Sequence, residues 1–218
     1  MAWQRQFMRA GAVFDFLSRP FMTLHVDARA DLGDEVILMA ANHRSLLDVF
    51  VALISCYRLK RPTRFIVGRV FFKRPGMGAF LRAIGCIEGG RKSGAGAVAS
   101  EAILGGSSCA IMPEGAIQNT DSQRILGPLL PGVSEIWTQT RCPFVAVGIA
   151  GAGLVWPEGR NIPRRPHLRK TRRPVVRVRL TELIQPGDEP CSLERVANIM
   201  EDNCEVAEAD RVAALVRR

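Results

Sequence analysis

The sequence predicts a single α/β domain with a mostly parallel central sheet flanked by helices. Short apolar runs typical of strands alternate with helix-like segments between residues 36 and 180. The 218 residues are enough for one complete core. The composition, 47% hydrophobic and 23% charged, is that of a globular chain. We expect an amphipathic N-terminal helix over residues 1–22 and one domain over residues 23–218.

The N-terminal segment predicts a short amphipathic helix. Five apolar side chains fall near one helical face, and the arginines lie off it. These five are Trp3, Phe7, Phe14, Leu17 and Phe21. Such a helix fits the plane of a membrane interface or a packing position on the domain, and the pattern alone does not choose between them.

The rest of the chain alternates between strands and helices. Strands are predicted at residues 36–40, 64–67, 84–87, 109–112, 144–151 and 175–180. Helices are predicted from a Ser45 cap to about residue 57, and at 75–82, 94–104, 133–140 and 192–215. Proline opens the helix at residue 75, and the glycines at 105 and 106 end the next helix. The last strand alternates in polarity, which predicts one solvent-exposed face.

The positive charge is concentrated in two segments. Residues 58–82 contain eight basic residues and no acidic one, and residues 160–179 contain nine and none. Segments of this kind indicate an anionic partner, such as a membrane surface, an acidic acyl-carrier protein or the phosphates of coenzyme A. A solvated basic face is the alternative. Nucleic acid is not expected, because aromatic residues are only 6% and do not alternate with the basic ones.

The cysteines and the hydropathy pattern indicate a cytoplasmic protein. The six cysteines lie far apart, with no metal or redox spacing, so we expect reduced thiols. No signal peptide is visible, and no apolar run approaches the roughly 20 residues of a membrane span. Together with the amphipathic helix and the basic segments, these features lead us to expect a peripheral protein at the inner face of the membrane.

The stretch from Asn42 to Asp48 joins the first predicted strand to a helix. Ser45 fits the N-cap and Asp48 the third helical position, a capping pattern that puts a carboxylate at the positive helix end. With His43 in the turn, its imidazole can fold back onto Asp48 while the second ring nitrogen faces outward. This is the arrangement of a general base and its orienter. A solvated turn histidine beside a capping aspartate is the alternative.

Three polar residues follow predicted strand ends: His43, Arg91 and Glu114. In a parallel sheet the carboxyl ends of the strands form one edge, where ligands gather. We therefore expect these residues to lie close together, although they are far apart in the chain.

Four short blocks carry a family resemblance. In order, they are Asn42-His43-x4-Asp48, Gly85-Cys86-Ile87-x3-Arg91, Met112-Pro113-Glu114-Gly115 and Cys142-Pro143-Phe144-Val145-Ala146-Val147. Together they resemble the motif blocks of the lysophosphatidic acid acyltransferase (PlsC-like) family of glycerolipid acyltransferases, over about residues 36–151. The resemblance adds a glycerolipid acyltransferase-like fold to the expected fold class.

The resemblance implies acyl transfer from acyl-CoA or acyl-carrier protein to a hydroxyl of a lysolipid, 1-acylglycerol 3-phosphate first among them, in phospholipid biosynthesis. His43 would take the hydroxyl proton, and Asp48 would orient and charge-stabilise the imidazolium. Backbone N–H groups near the His43 turn or the start of the helix would stabilise the oxyanion. No metal is expected, and no cofactor apart from the acyl donor.

The remaining implied site residues bind substrate or shape the site. Arg91 and the Glu114-Gly115 turn would position the acceptor, with Arg91 at its phosphate. Asn42 and Ser45 would fix the turn that carries the histidine.

One departure from the family pattern concerns the acceptor. The family has Thr-Arg after the Glu-Gly pair, whereas Ala116 and Ile117 stand here. Either Arg124 replaces the missing arginine, or the acceptor is another amphiphile such as a glycolipid or an amino-lipid.

Two other classes of function remain open. A non-catalytic basic module would bind a membrane without using His43. A hydrolase would use the same base to activate water on a thioester. A binding module would keep its function when His43 is replaced, whereas an acyltransferase would lose it. A hydrolase would cleave the thioester without an acceptor, whereas an acyltransferase requires one.

Overall fold

The computed structural model describes residues 1–28, 32–90, 94–117, 126–160, 162–167, 169–187 and 191–216. The α-helices in these ranges are α1 (Ala2–Ser18), α2 (Leu47–Arg58), α3 (Arg69–Phe72), α4 (Met77–Ala83), α5 (Ala95–Leu104), α6 (Gly132–Thr140), α7 (Ala152–Val155) and α8 (Leu193–Val216), and a short 3-10 helix spans Lys170–Arg172. The strands are β1 (Thr23–Ala28), β2 (Leu38–Ala41), β3 (Arg64–Gly68), β4 (Ile87–Gly89), β5 (Cys109–Ile111), β6 (Phe144–Ala150) and β7 (Val175–Leu180).

The strands form one seven-stranded sheet in the order β1-β7-β6-β2-β5-β3-β4. Every pairing is parallel except that of β6 with β7, which is antiparallel. Five strands therefore point in one direction, and β2 lies at the centre of the sheet. The prediction of an α/β fold with a mostly parallel sheet is confirmed.

Helices cover both faces of this sheet. The central strand shows how: Met39 and Ala41 point into the core beneath α1, α2, α4 and α7, whereas Leu38 and Ala40 point into the core beneath α5, α6 and α8. All four side chains are buried. An apolar run without alternation is what a strand covered on both faces requires.

The N-terminal helix α1 packs onto the domain. Phe7 is fully buried and its ring contacts Phe65 of β3, while Phe14 contacts Phe50 of α2. Gly11 allows close approach to α2, because a Cβ at this position would lie 2.4 Å from the Cβ of Tyr57. Of the two predicted positions for this helix, a membrane interface or a packing site on the domain, this face therefore takes the packing site.

The same helix exposes a second apolar group. Val13, Phe16 and Leu17 are 56%, 67% and 54% exposed, and their spacing places them on one side of the helix. Leu17, which the sequence places on the same apolar face as Phe7 and Phe14, belongs to this exposed group. We refer to these three side chains as the α1 patch.

Several element predictions need correction. The predicted strands omit β1, although polar and apolar residues alternate strictly from Thr23 to Ala28. The helix predicted from residue 75 begins at Met77, and the strand predicted at 84–87 begins only at Ile87. In both of these cases of a late start, the turn residues extend further than the apolar pattern indicates.

Strand β7 has no solvent-exposed face, contrary to the prediction. Its Arg179 is buried and pairs with Asp210 of α8 at 2.8 Å. Arg177 pairs with Asp27 of β1 at 2.6 Å. The polar residues of β7 thus contact acidic partners on neighbouring elements instead of solvent.

The basic segment that begins at residue 160 runs beside the end of α1. The His167 N–H donates to the carbonyl of Pro20 at 2.8 Å, and the Arg164 N–H donates to the carbonyl of Val155. Arg164 and Arg165 are exposed. In the described part of the chain, no helix is both long enough and apolar enough to cross a bilayer.

Candidate active site

The loop from Asn42 to Leu46 follows the central strand of the sheet and leads into α2. The helix begins at Leu47, one residue later than the prediction of a Ser45 cap. The predicted capping hydrogen bonds are nevertheless formed: the Leu47 N–H donates to Ser45 Oγ at 3.1 Å, and the Ser45 N–H donates to Asp48 Oδ2 at 2.7 Å. The local sequence therefore closes this turn as a capping box does.

His43 and Asp48 meet within this turn. The Nδ1 atom of His43 lies 3.2 Å from Oδ2 of Asp48. The carboxylate is 1% exposed and the imidazole 16%. A histidine that donates from Nδ1 to a carboxylate carries its free lone pair on Nε2. The pair therefore has the geometry of an oriented general base.

The backbone of the turn also binds the Asp48 carboxylate. Besides the Ser45 N–H, the Arg44 N–H donates to Oδ2 at 2.6 Å. Burial raises the pKa of Asp48 above its usual value, and the hydrogen bonds from His43, Ser45 and Arg44 oppose that rise. These donors stabilise the ionised form that an orienting carboxylate needs.

Glu114 reaches the same turn from the adjacent strand. It follows β5, which pairs with β2, and its Oε1 accepts the His43 N–H at 2.8 Å. Its Oε2 accepts the Gly127 N–H at 3.1 Å. Burial raises the pKa of Glu114, and the two N–H donors oppose the rise. The expected convergence of His43 and Glu114 at one edge of the sheet is therefore observed.

Asn42 and Ser45 bind backbone groups of other elements. The Asn42 side chain donates to the carbonyl of Ile149 at 3.0 Å and accepts the Ile149 N–H at 2.7 Å, which joins the turn to β6. Ser45 Oγ donates to the carbonyl of Trp156 at 2.6 Å. Both side chains are buried, so they hold the turn in place between its neighbours.

Gly115, another predicted site residue, follows Glu114 and has a φ of +69°. This left-handed conformation favours glycine. A Cβ there would meet the flexible Leu130 side chain at 2.5 Å. Arg91 and Arg124 lie outside the described residues. Their predicted roles therefore stay predictions.

The sequence matches a known family over this whole region. The model of the family described as Acyltransferase matches residues 24–150, which include the His43 turn and the Glu114 turn. The chain belongs to the acyltransferase family. No curated protein matches the sequence.

A solved structure resembles the fold of this acyltransferase. It is the crystal structure of the 1-acyl-sn-glycerophosphate (LPA) acyltransferase PlsC from Thermotoga maritima, with a TM-score of 0.71 and 21% sequence identity. The match covers 97% of this chain and 79% of that one. At this identity the likeness establishes a shared fold.

Five of the N–H groups to which the oxyanion prediction refers are already bound inside the protein. In this acyltransferase the N–H of His43 binds Glu114, and those of Arg44 and Ser45 bind Asp48. The N–H groups of Leu47 and Asp48 bind Ser45. These five donors already have acceptors inside the protein, so the oxyanion site stays a prediction for the other N–H groups of the turn and the helix start.

Three residues that shape the site of the acyltransferase are not among those predicted from the sequence. Ile149 and Gly127 contribute only backbone groups, which residue type does not encode. Trp156 accepts from Ser45 through its carbonyl, and its ring stacks on Phe50 with centroids 6.4 Å apart. An aromatic residue shortly after a strand end was the one available signal for Trp156.

Proposed function

We propose that this acyltransferase transfers a fatty acyl group from an acyl-CoA or acyl-carrier-protein thioester to a lysolipid hydroxyl. The proposed acceptor is 1-acylglycerol 3-phosphate, which assigns the protein to phospholipid biosynthesis. The observation that carries the proposal is the contact between His43 and Asp48 at the end of the central strand. The shared fold with an LPA acyltransferase supports this choice of acceptor.

In the proposed reaction, His43 Nε2 takes the proton of the acceptor hydroxyl as the oxygen attacks the thioester carbonyl. Asp48 stabilises the imidazolium that forms. The tetrahedral intermediate then collapses, the carbon–sulfur bond breaks, and the thiolate takes the proton from the imidazolium. The products are the diacyl lipid and the free thiol, and the histidine returns to its starting state.

A second acceptor class is favoured by one sequence feature. Ala116 and Ile117 stand where the resemblance leads us to expect threonine and arginine, and Ala116 is exposed beside the Glu114 turn. Without that arginine, an acceptor with no phosphate, such as a glycolipid or an amino-lipid, fits the same chemistry. The acceptor is therefore a variable of the experiment.

The experiment follows release of free thiol from a long-chain acyl-CoA or acyl-carrier protein. Each donor is tested with 1-acylglycerol 3-phosphate, with lyso-glycolipids, with lyso-amino-lipids and without acceptor. We expect release that requires one acceptor and falls about 10²- to 10⁴-fold in His43→Ala. The control is His25→Ala, an exposed histidine on β1.

The other outcomes identify the other functions. Release that no acceptor increases indicates a thioesterase. No release by the wild-type protein with any donor and acceptor indicates the non-catalytic binding module, and either result overturns the proposal. Release that requires an acceptor without phosphate replaces 1-acylglycerol 3-phosphate with the second acceptor class.

We further propose that the protein works at an anionic membrane surface, since its acceptor is an amphiphile. The α1 patch supplies apolar side chains, and the adjacent basic segment supplies the exposed Arg164 and Arg165. All six cysteines are unpaired and buried. Reduced thiols fit the cytoplasmic side, so we propose the inner face of the membrane.

A further inference from the structure

Side chains hold the turn that carries His43 to the strands on both sides of β2. On one side, Asn42 makes two hydrogen bonds to Ile149 of β6. On the other side, the His43 N–H donates to Glu114, which follows β5. Because β6 and β5 are the two neighbours of β2, these contacts continue the sheet pairing past the strand ends.

Glu114 contributes two contacts of its own to this arrangement. One carboxylate oxygen binds His43 N–H and the other binds Gly127 N–H, and the residue is 5% exposed. A second hydrogen bond, from the Leu130 N–H to the carbonyl of Pro113 at 2.7 Å, ties the same two segments together. Both oxygens therefore act on the protein's own backbone.

We propose that Glu114 is a positioning residue that acts through His43 and does not bind the acyl acceptor. Its carboxylate fixes the main chain of His43 relative to the segment that starts at residue 126. This role differs from the acceptor contact that the family resemblance implies for Glu114. The inference rests on the proposed function, because positioning matters only if His43 is the base.

A carboxylate suits this role because each of its two oxygens can accept a hydrogen bond. Glutamine offers one acceptor oxygen, so its NH₂ group would face one of the two N–H donors. Aspartate keeps both acceptors but is one methylene shorter, which prevents it from spanning His43 and Gly127 together. The two substitutions therefore disturb the position of His43 in different ways.

The experiment compares kcat and KM for Glu114→Gln and Glu114→Asp with the wild type. We expect kcat to fall about 10- to 100-fold, because a displacement near 1 Å at a reacting group costs that much. We expect the KM values for donor and acceptor to change by less than about threefold. The control is Glu135→Gln, which alters an exposed glutamate in the first turn of α6.

A spectroscopic measurement follows the histidine itself. The protein contains three histidines, at positions 25, 43 and 167, which isotope labelling resolves by NMR. We expect the His43 resonances to shift in Glu114→Gln and those of the other two to stay in place. If Glu114→Gln does not fold, Glu114→Asp provides the same measurements.

Two results would overturn the inference. One is an acceptor KM raised tenfold or more with kcat preserved, which is the behaviour of an acceptor-binding group. The other is unchanged His43 resonances in a folded variant. If the wild type transfers no acyl group, the proposed function fails instead, and the resonances still report whether Glu114 positions His43.

Discussion

At the scale of single residues, the turn at His43 depends on buried hydrogen bonds. Asp48 and Glu114 accept three successive backbone N–H groups, and Asn42 binds both backbone groups of Ile149. Each of these polar side chains is buried, so each unmade bond would carry a full desolvation penalty. The position of His43 is thereby tied to the stability of the fold.

Replacement of Asn42 by alanine tests this dependence. The change leaves the N–H and the carbonyl of Ile149 buried without an acceptor or donor, at about 1–3 kcal/mol for each group. We expect a lower free energy of unfolding in urea denaturation. The matched control, Asn198→Ala on the exposed side of α8, should change it by less than about 0.5 kcal/mol. Equal effects of the two changes would contradict the account.

The sequence predicts part of this site and leaves part of it undetermined. The contact of His43 with Asp48 follows from their spacing across a strand-to-helix turn. The bond from the His43 N–H to Glu114 joins residues 71 positions apart and depends on the Glu114 side-chain rotamer. Periodicity carries no information about such a bond, so the sequence predicts proximity of these residues but not their contact.

At the scale of elements, α1 has two apolar sides with different surroundings. The spacing of Phe7 and Phe14 predicts an apolar side, and the structure shows that this side packs on the domain. The exposed α1 patch was not predicted, because amphipathicity assigns one apolar face and Leu17 was counted on it. Strand β1 was also missed, although its polar and apolar residues alternate from Thr23 to Ala28 and it pairs in parallel with β7.

We expect membrane binding to depend on the α1 patch and not on the exposed apolar side chains of α8. Replacement of both Phe16 and Leu17 by serine should weaken binding to phosphatidylglycerol vesicles about tenfold or more, because it removes the apolar area that inserts. The matched control is the double serine variant of Val212 and Leu215, which are 47% and 45% exposed on α8. Vesicle sedimentation measures the bound fraction of each protein.

The contribution of the basic segment is tested in the same vesicle experiment. The Arg164→Gln, Arg165→Gln double variant should lose affinity for phosphatidylglycerol vesicles and not for phosphatidylcholine vesicles. Equal losses in the α1 and α8 double serine variants would contradict the assignment of the α1 patch to the membrane.

At the scale of the whole molecule, the order of the strands brings the site together. The sequence predicts parallel strands with polar residues at their ends. It does not predict which strands are neighbours, and the position of β2 between β6 and β5 decides which side chains reach the turn.

The buried thiols predict a loss of stability in alkali. Burial raises the pKa of Cys204 from 9.0 to about 12 and that of Cys56 to about 11. Above pH 9 the unfolded chain releases thiol protons that the folded chain keeps, so the free energy of unfolding falls as the pH rises. Each such thiol contributes about 1.4 kcal/mol per pH unit until its folded pKa is reached.

Cys204→Ala isolates one thiol from the other groups that titrate in alkali. Urea denaturation under reducing conditions from pH 8.5 to 10.5 should show a shallower decline for this variant. The difference in slope should approach about 1.4 kcal/mol per pH unit above pH 9. Parallel curves would show that the Cys204 thiol titrates alike in the folded and unfolded states.

The central claim is that His43 and Asp48 act as one catalytic unit, and a double-mutant cycle tests it most directly. The values of kcat/KM for acyl transfer are measured for the wild type, His43→Ala, Asp48→Asn and the double variant. Because an orienter acts only through its base, the double variant should be no slower than His43→Ala within about threefold. Losses that multiply in the double variant, or full activity in His43→Ala, would contradict the claim.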